Sequence, residues 1–556
     1  MKHKNSKLLI GLGLFLLILL TSLPLIKPGF FSMQDDMHVF RLSQFIQCFQ
    51  DGQIPCRLIK LGGFGYSYPL FNFYPPFFYA LASTFSLFHL SLITSLKVSL
   101  LLLNSTAIIF TYLLLLKLSS KKFLALTLTI LYAFFPYRAV DLFVRGAMAE
   151  FTALSLLPLV VYTYLNYKQQ KTKLRFLFSS LSLTAFFLSH NLISFLSLPL
   201  LLFFSLWPSF KFKLKNFWPL LLALGLSAFF LIPAIFESHL TTIKTMTQGY
   251  FDYKAHFIGL KQLFIDRSWG YGASLWGPKD DMSFQLGTPH QLIYILSITI
   301  SFYWLLHKKY YSQKTSVLVF FNLFYASIAL FMTHNRSIFI WKLLPFLAFV
   351  QFPWRFIGLS LLPIIITSSL ILSQLKLKKS QTIVYTIVIL SSIIFNFNYF
   401  KEDIYFPNLT DQQKLTQAEI IRQSGAGLKD YWPNYGLQFP DRFSEDRIIS
   451  NLPIKISNYQ RNSYQLSASL DVSQNNSLIT LPIVYFPNWK IYLDNQPQTI
   501  QTDTQLGLIQ LKSVVAGQHQ LKATFTNTPI RNLANLISLT CLFLLPFFYL
   551  KINQPK

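Results

Sequence analysis

The chain has 556 residues, 53% hydrophobic and 12% charged, with 48 Lys and Arg against 21 Asp and Glu and a formal net charge of +27. A soluble domain carries roughly twice that charged fraction, so this composition excludes one soluble globular fold and implies a polytopic membrane protein. The basic residues sit in short clusters between apolar runs, which marks membrane orientation and excludes a nucleic-acid-binding stripe.

The head MKHKNSK precedes an apolar run ending near Ile26, with no small-x-small cleavage site before Asp35, the pattern of an uncleaved anchor. Beyond it, QDDMHVFR sets Asp35 beside Asp36, with His38 and Arg41 following at helical spacing. A carboxylate pair near the lipid surface can take a proton from an incoming hydroxyl, or hold a divalent cation such as Mg2+ or Mn2+. The plainer reading is a solvated acidic step that ends a span. Cys48 and Cys56 share this first loop and are either a disulfide or two free thiols; with Cys541 they give no zinc spacing. Residues 71–88, FNFYPPFFYALASTFSLF, are apolar enough to cross, but their double proline and clustered aromatics suit a helix lying in the interface.

Basic clusters at 1–7, 117–122, 168–175, 211–215, 307–314, 376–379 and 551–556 pair the remaining apolar segments. Candidate spans lie near 8–26, 92–116, 122–137, 151–167, 174–190, 192–209, 217–236, 290–306, 315–332, 356–375, 382–398 and 531–550. That is about twelve crossings with both termini cytoplasmic. All 21 acids fall at 35–51, 141–150, 237–281 or 402–503, on or beside the expected outer loops. Acids contribute little to topology, so this partition marks the outer side as the place where ionisable groups are used.

In the second outer loop, YRAVDLFVRGAMAE spaces Arg138, Asp141 and Arg145 along one helix face, with Glu150 beyond. Such a face is either a self-neutralising ladder or two guanidinium forks offered to a phosphate, with Asp141 or Glu150 completing a metal site with Asp35. The third outer loop, 237–289, is long enough to fold over a site, and His190-Asn191 reads as a polar helix end. QFPWRF puts Arg355 where a span begins, as a snorkelling anchor or a lipid-phosphate contact. Residues 400–530 turn polar, with short alternating runs such as KIYLD and HQLKATF, and predict a small outer β-sandwich tethered by a final span.

QDDMHVFR, GYSYPLFNFYPPFFYAL, YRAVDLFVRGAMAE, LSHN and QFPWRF resemble the bacterial membrane-protein family labelled 6-pyruvoyl-tetrahydropterin-synthase-related, although no histidine-rich pterin-enzyme site is visible. The acidic pair after the first span, with a second acid- and arginine-bearing loop, looks like the GT-C superfamily of integral-membrane glycosyltransferases. The tail from YFPNWKIYLDNQ to KATFTNTPIR is similar to that of YfhO-like membrane proteins. The resemblance implies an inverting transfer of a sugar from a polyprenyl phosphate to an envelope glycan, lipid or protein acceptor. It maps the first-loop acid to Asp35 or Asp36 and puts Arg138, Arg145 or a metal ion at the donor phosphate; Asp36 is taken here as the base and Asp35 as orienter or metal ligand, with Arg355, His38 and Arg41 as further phosphate candidates. The superfamily's second-loop acid maps to Asp141 or Glu150.

The expected architecture is a mostly α, GT-C-like membrane domain over 1–399, an extracytoplasmic β-domain over 400–530, and a last helix with a cytoplasmic tail over 531–556. The expected location is the plasma or inner membrane, with the active site outside, no nucleic acid as partner, and a divalent cation as candidate cofactor. A transporter or flippase of lipid-linked sugars and a non-catalytic glycan-binding scaffold are the rival readings. Peripheral acids and the lack of a visible internal repeat speak against a transporter.

Overall fold

The computed structural model describes residues 2–275, 280–307, 312–375 and 380–551. The basic cluster at 376–379, half of the one at 307–314 and nearly all of the tail at 551–556 lie outside them. The chain is mostly helical, 61%, with a small β-region near the C-terminus.

Among the described residues, six helices are long and apolar enough to cross a membrane: Leu92–Ser119, Met148–Gln169, Thr288–Leu306, Gln313–Met332, Pro353–Gln374 and Ser380–Tyr399. Two further pairs qualify together but are bent, Lys122–Ala133 with Pro136–Arg145 by 50° and Leu214–Leu226 with Ala228–Phe236 by 67°, giving up to eight. Twelve uninterrupted crossings are therefore not what the helices provide. The other expected spans form shorter apolar pieces: Ser6–Leu20, Asn191–Leu206 and Pro529–Leu545. Thr21 and Ser22 end the first of these before a prolyl turn, Leu23–Ile26, and Ser197 interrupts the second ahead of Pro199, where proline removes a helical donor. The 71–88 segment forms Leu70–Phe73 and Phe77–Ser86, too short to cross.

Met148–Gln169 and Pro353–Gln374 are the most enclosed spans, with 89% and 94% of their apolar windows buried inside the protein, whereas Ser380–Tyr399 has 17% and faces outward. Two central helices thus form an axis, and both begin at the same end of the bundle, where Glu150 and Arg355 meet.

The β-region comprises a five-stranded and a four-stranded antiparallel sheet. In the strand Gln465–Val472, alternate residues Leu466, Ala468, Leu470 and Val472 are buried, the two-residue period of a half-buried strand. They share an apolar cluster with Ile479, Leu481 and Ile483 of the other sheet and with Leu58 and Phe73 of the loop after the first apolar helix. That loop is fastened elsewhere as well: Phe30–Phe31 pairs antiparallel with Tyr405–Phe406, and Cys48 and Cys56 form a disulfide.

Candidate functional site

A cavity of about 630 Å3 opens at the end of the bundle where the two central helices begin. Residues from all four segments expected to be outer loops line it, joined by His190, Asn191 and the stretch around Asp430. Its charged lining is Asp35, Glu150 and Asp430 against Arg41, Arg145 and Arg355.

Asp35 lies between the Phe30–Phe31 strand and the helix His38–Gln50. Its backbone N–H donates to the Arg145 carbonyl at 2.8 Å, and the Gln34 N–H to that of Val144 at 3.0 Å, so residues 34–35 are laced onto 144–145. Gly146 follows with φ +67°, and a Cβ there would lie 2.4 Å from Met33 Sδ, so this close approach requires glycine. The Asp35 side chain is solvent-accessible, but the water it meets is that of a cavity walled by protein. Burial among those walls raises its carboxyl above the usual range, against the lowering pull of Arg145, Arg41 and Arg355.

Arg145 ends a single wide helical turn, Val140–Arg145. Its Nη1 contacts Asp141 Oδ1 at 2.6 Å and Glu150 Oε2 at 2.9 Å, and its guanidinium lies 4.6 Å over the Trp354 ring. Glu150, in the first turn of Met148–Gln169, also pairs with Arg355 Nε at 3.1 Å and accepts from the Tyr137 hydroxyl at 2.6 Å. One carboxylate thereby holds two guanidinium groups side by side. Arg355 Nη1 donates to the Val350 carbonyl at 2.9 Å, which fixes its direction. Arg41 sits over the Tyr74 ring at 4.4 Å.

Several expected residues stand elsewhere. Asp36 is bound by Lys414 at 2.6 Å and Arg422 at 2.9 Å and is not among the cavity-lining residues; consecutive residues of a turn point different ways, and here the first one faces inward. His38 is a strut, with Nε2 2.7 Å from the Gly146 carbonyl and Nδ1 2.8 Å from the Tyr79 hydroxyl. Burial lowers its pKa to about 3, leaving it neutral. Arg138 is buried in the helix packing, donating to Asn104 Oδ1 at 2.6 Å and the Tyr132 hydroxyl at 3.0 Å, away from the cavity. Asp141 is fully buried behind Arg145.

Asp35, Asp141 and Glu150 do not assemble as metal ligands: among the described residues no group of three or more His, Cys, Asp or Glu side chains is placed to hold an ion. The oxygens of Glu150 are taken by Arg145, Arg355 and Tyr137.

Sequence reasoning missed Asp430, and it set His190 aside as a helix end. His190 Nδ1 does cap that helix, accepting from the Ile193 N–H at 3.2 Å, while its ring lines the cavity. The signal for Asp430 was GLKDYW, a lone acid before two aromatics in a polar stretch. Of the two aromatics, Trp432 is itself buried.

A protein family described as "6-pyruvoyl-tetrahydropterin synthase related domain; membrane protein" matches residues 71–264. That stretch, a little over a third of the chain, contains Arg145, Glu150 and His190 but not Asp35, Arg41, Arg355 or Asp430. No curated protein matches the sequence significantly. The chain is thus similar, over that part, to a membrane-protein family, in keeping with its apolar helices.

Proposed function

We propose that this protein is a GT-C-type membrane glycosyltransferase, moving a sugar from a polyprenyl-phosphate donor to an envelope glycan, lipid or protein at the outer face. In this reading the broken apolar helices also cross, for about twelve spans, and the two sheets form an outer sandwich. The observation that carries it is the shared cavity: Asp35, which makes no ion pair among the described residues, stands with Arg41, Arg145 and Arg355.

Asp35 accepts the proton of the acceptor hydroxyl as its oxygen attacks the anomeric carbon. The bond from that carbon to the phosphate oxygen breaks, the phosphate leaves with the electron pair, and the sugar inverts. Arg145 and Arg355 take the leaving charge, assisted by the N-terminal ends of the two central helices. Base catalysis contributes about 10²–10⁴-fold, and prearranged cations in a partly dry site add several kcal/mol, on the order of 3. A carboxyl raised by burial is a better base near neutral pH than an ordinary aspartate. The base role therefore passes from Asp36 to Asp35, and the arginines hold the leaving charge.

The test incubates purified protein with radiolabelled polyprenyl-phosphate sugars, with and without a chelator, and measures release of free lipid phosphate. Asp35→Asn should lower the rate by about 10²-fold or more, while Asp36→Asn should stay within a few-fold of wild type. Full activity in Asp35→Asn defeats the reading; flipping of the lipid without sugar transfer transfers it to the transporter class.

A further inference from the structure

Asp430 reaches the cavity on a turn built with more anchoring than a surface loop needs. Gly427 opens the turn at φ +69°. The Tyr68 hydroxyl donates to the Gly427 carbonyl and accepts from the Tyr431 N–H, each at 2.9 Å. Thr242 and Thr245 both donate to the Lys429 carbonyl, at 2.8 and 2.7 Å. The turn thus links the first outer loop, the 237–255 segment and the approach to the β-region.

Two atoms crowd the space above Gly427: a Cβ there would lie 3.0 Å from Asp430 Oδ2 and 3.6 Å from Arg41 Nη2. Asp430 lines the same cavity as Arg41 and Asp35, together with Arg145 and Arg355. The cavity thus offers Arg145 and Arg355, paired on Glu150 and suited to phosphate, and in Asp430, beside Arg41, a further carboxylate, which repels phosphate and accepts hydrogen bonds from hydroxyls.

We infer that Asp430 and its turn form the acceptor subsite, where the carboxylate accepts a hydrogen bond from a hydroxyl of a polyhydroxylated acceptor and orients a neighbouring hydroxyl toward Asp35. The inference rests on the glycosyltransferase reading and adds the chemistry by which the acceptor is recognised. A hydrogen bond to a charged group contributes about 1.5–3 kcal/mol, corresponding to a roughly 10- to 150-fold change in an equilibrium constant.

The experiment uses the full chain in nanodiscs, varying a lipid-phosphate sugar donor and a soluble oligosaccharide acceptor separately. Asp430→Asn should raise the acceptor KM about tenfold or more, well beyond any change in the donor KM, and be partly rescued by Asp430→Glu. An unchanged acceptor KM, or donor hydrolysis lost in both Asp430 variants, overturns the subsite while the glycosyltransferase reading stands on Asp35→Asn. Wild-type protein that neither transfers nor hydrolyses overturns both.

Discussion

At Asp430 burial outweighs the attraction of Arg41 and lifts the carboxyl to about 6. In the unfolded chain it titrates near the ordinary aspartate value. Between about pH 4 and 6 the native state therefore holds the extra proton, and native stability falls as pH rises through that window. The ionisable groups facing Asp430 are Arg41, Asp35, Tyr68 and Tyr431, and neither tyrosine ionises in this range, since burial raises both. Asp430→Asn removes this titration, so its melting temperature should exceed that of wild type at about pH 7.5 and converge with it near pH 4. A Tm difference independent of pH would show that the carboxyl is not buried as described. Stability gained by removing a functional charge is the usual trade at a binding site.

Among the elements, the junction of Met148–Gln169 with Pro353–Gln374 gathers four charged side chains away from solvent. Glu150 neutralises Arg145 and Arg355 together, while Asp141 pairs with Arg145 alone. Removing one partner of a buried pair costs about 3–5 kcal/mol because the remaining charge is stranded. Glu150→Gln, which strands Arg355, should therefore lower the melting temperature in detergent more than Asp141→Asn, which leaves Arg145 its second acid. An equal loss in both variants would indicate that Asp141 carries the cluster. Sequence periodicity showed that Arg138, Asp141 and Arg145 share a helical face, yet the wide turn Val140–Arg145 sends Arg145 to the cavity and leaves Arg138 in the packing. A regular 3.6-residue helix does not predict that divergence.

Over the whole molecule, a buried ion pair ties the start of the last helix to the end of Ala228–Phe236, and its arginine reaches on to the β-region. Arg531, at the start of the last helix, contacts Glu237 at 2.9 Å and donates to the Pro487 carbonyl at 3.2 Å. Glu237 in turn accepts from Asn72 at 2.9 Å, and Asn72 accepts from Arg57 at 2.9 Å. Arg531→Ala leaves Glu237 buried without its principal cation, at a cost of about 3–5 kcal/mol. It should lower the Tm and expose the 526–530 connection to limited proteolysis. Arg447→Ala, which removes an exposed pair with Glu445, should change neither; identical behaviour of the two variants would mean that the joint lies elsewhere.

Composition and hydropathy by themselves determined that the chain lies in a membrane, that its helices dominate, and that a polar β-region precedes the last helix. Those properties sum over many residues, and the local period of apolar side chains encodes them directly. The gathering of the acidic residues into segments 35–51, 141–150, 237–281 and 402–503 was equally legible, because buried negative charge is costly enough to be rare elsewhere. Only the tertiary structure decided that Asp35 rather than Asp36 faces the cavity, that Arg138 and His38 are struts, that several apolar segments break, and that Asp430 joins the site. Each of these depends on which backbone segment docks against which, such as residues 34–35 on 144–145 or the 427–431 turn on Tyr68 and Thr242. Contacts between residues far apart in the chain leave no periodic trace along it.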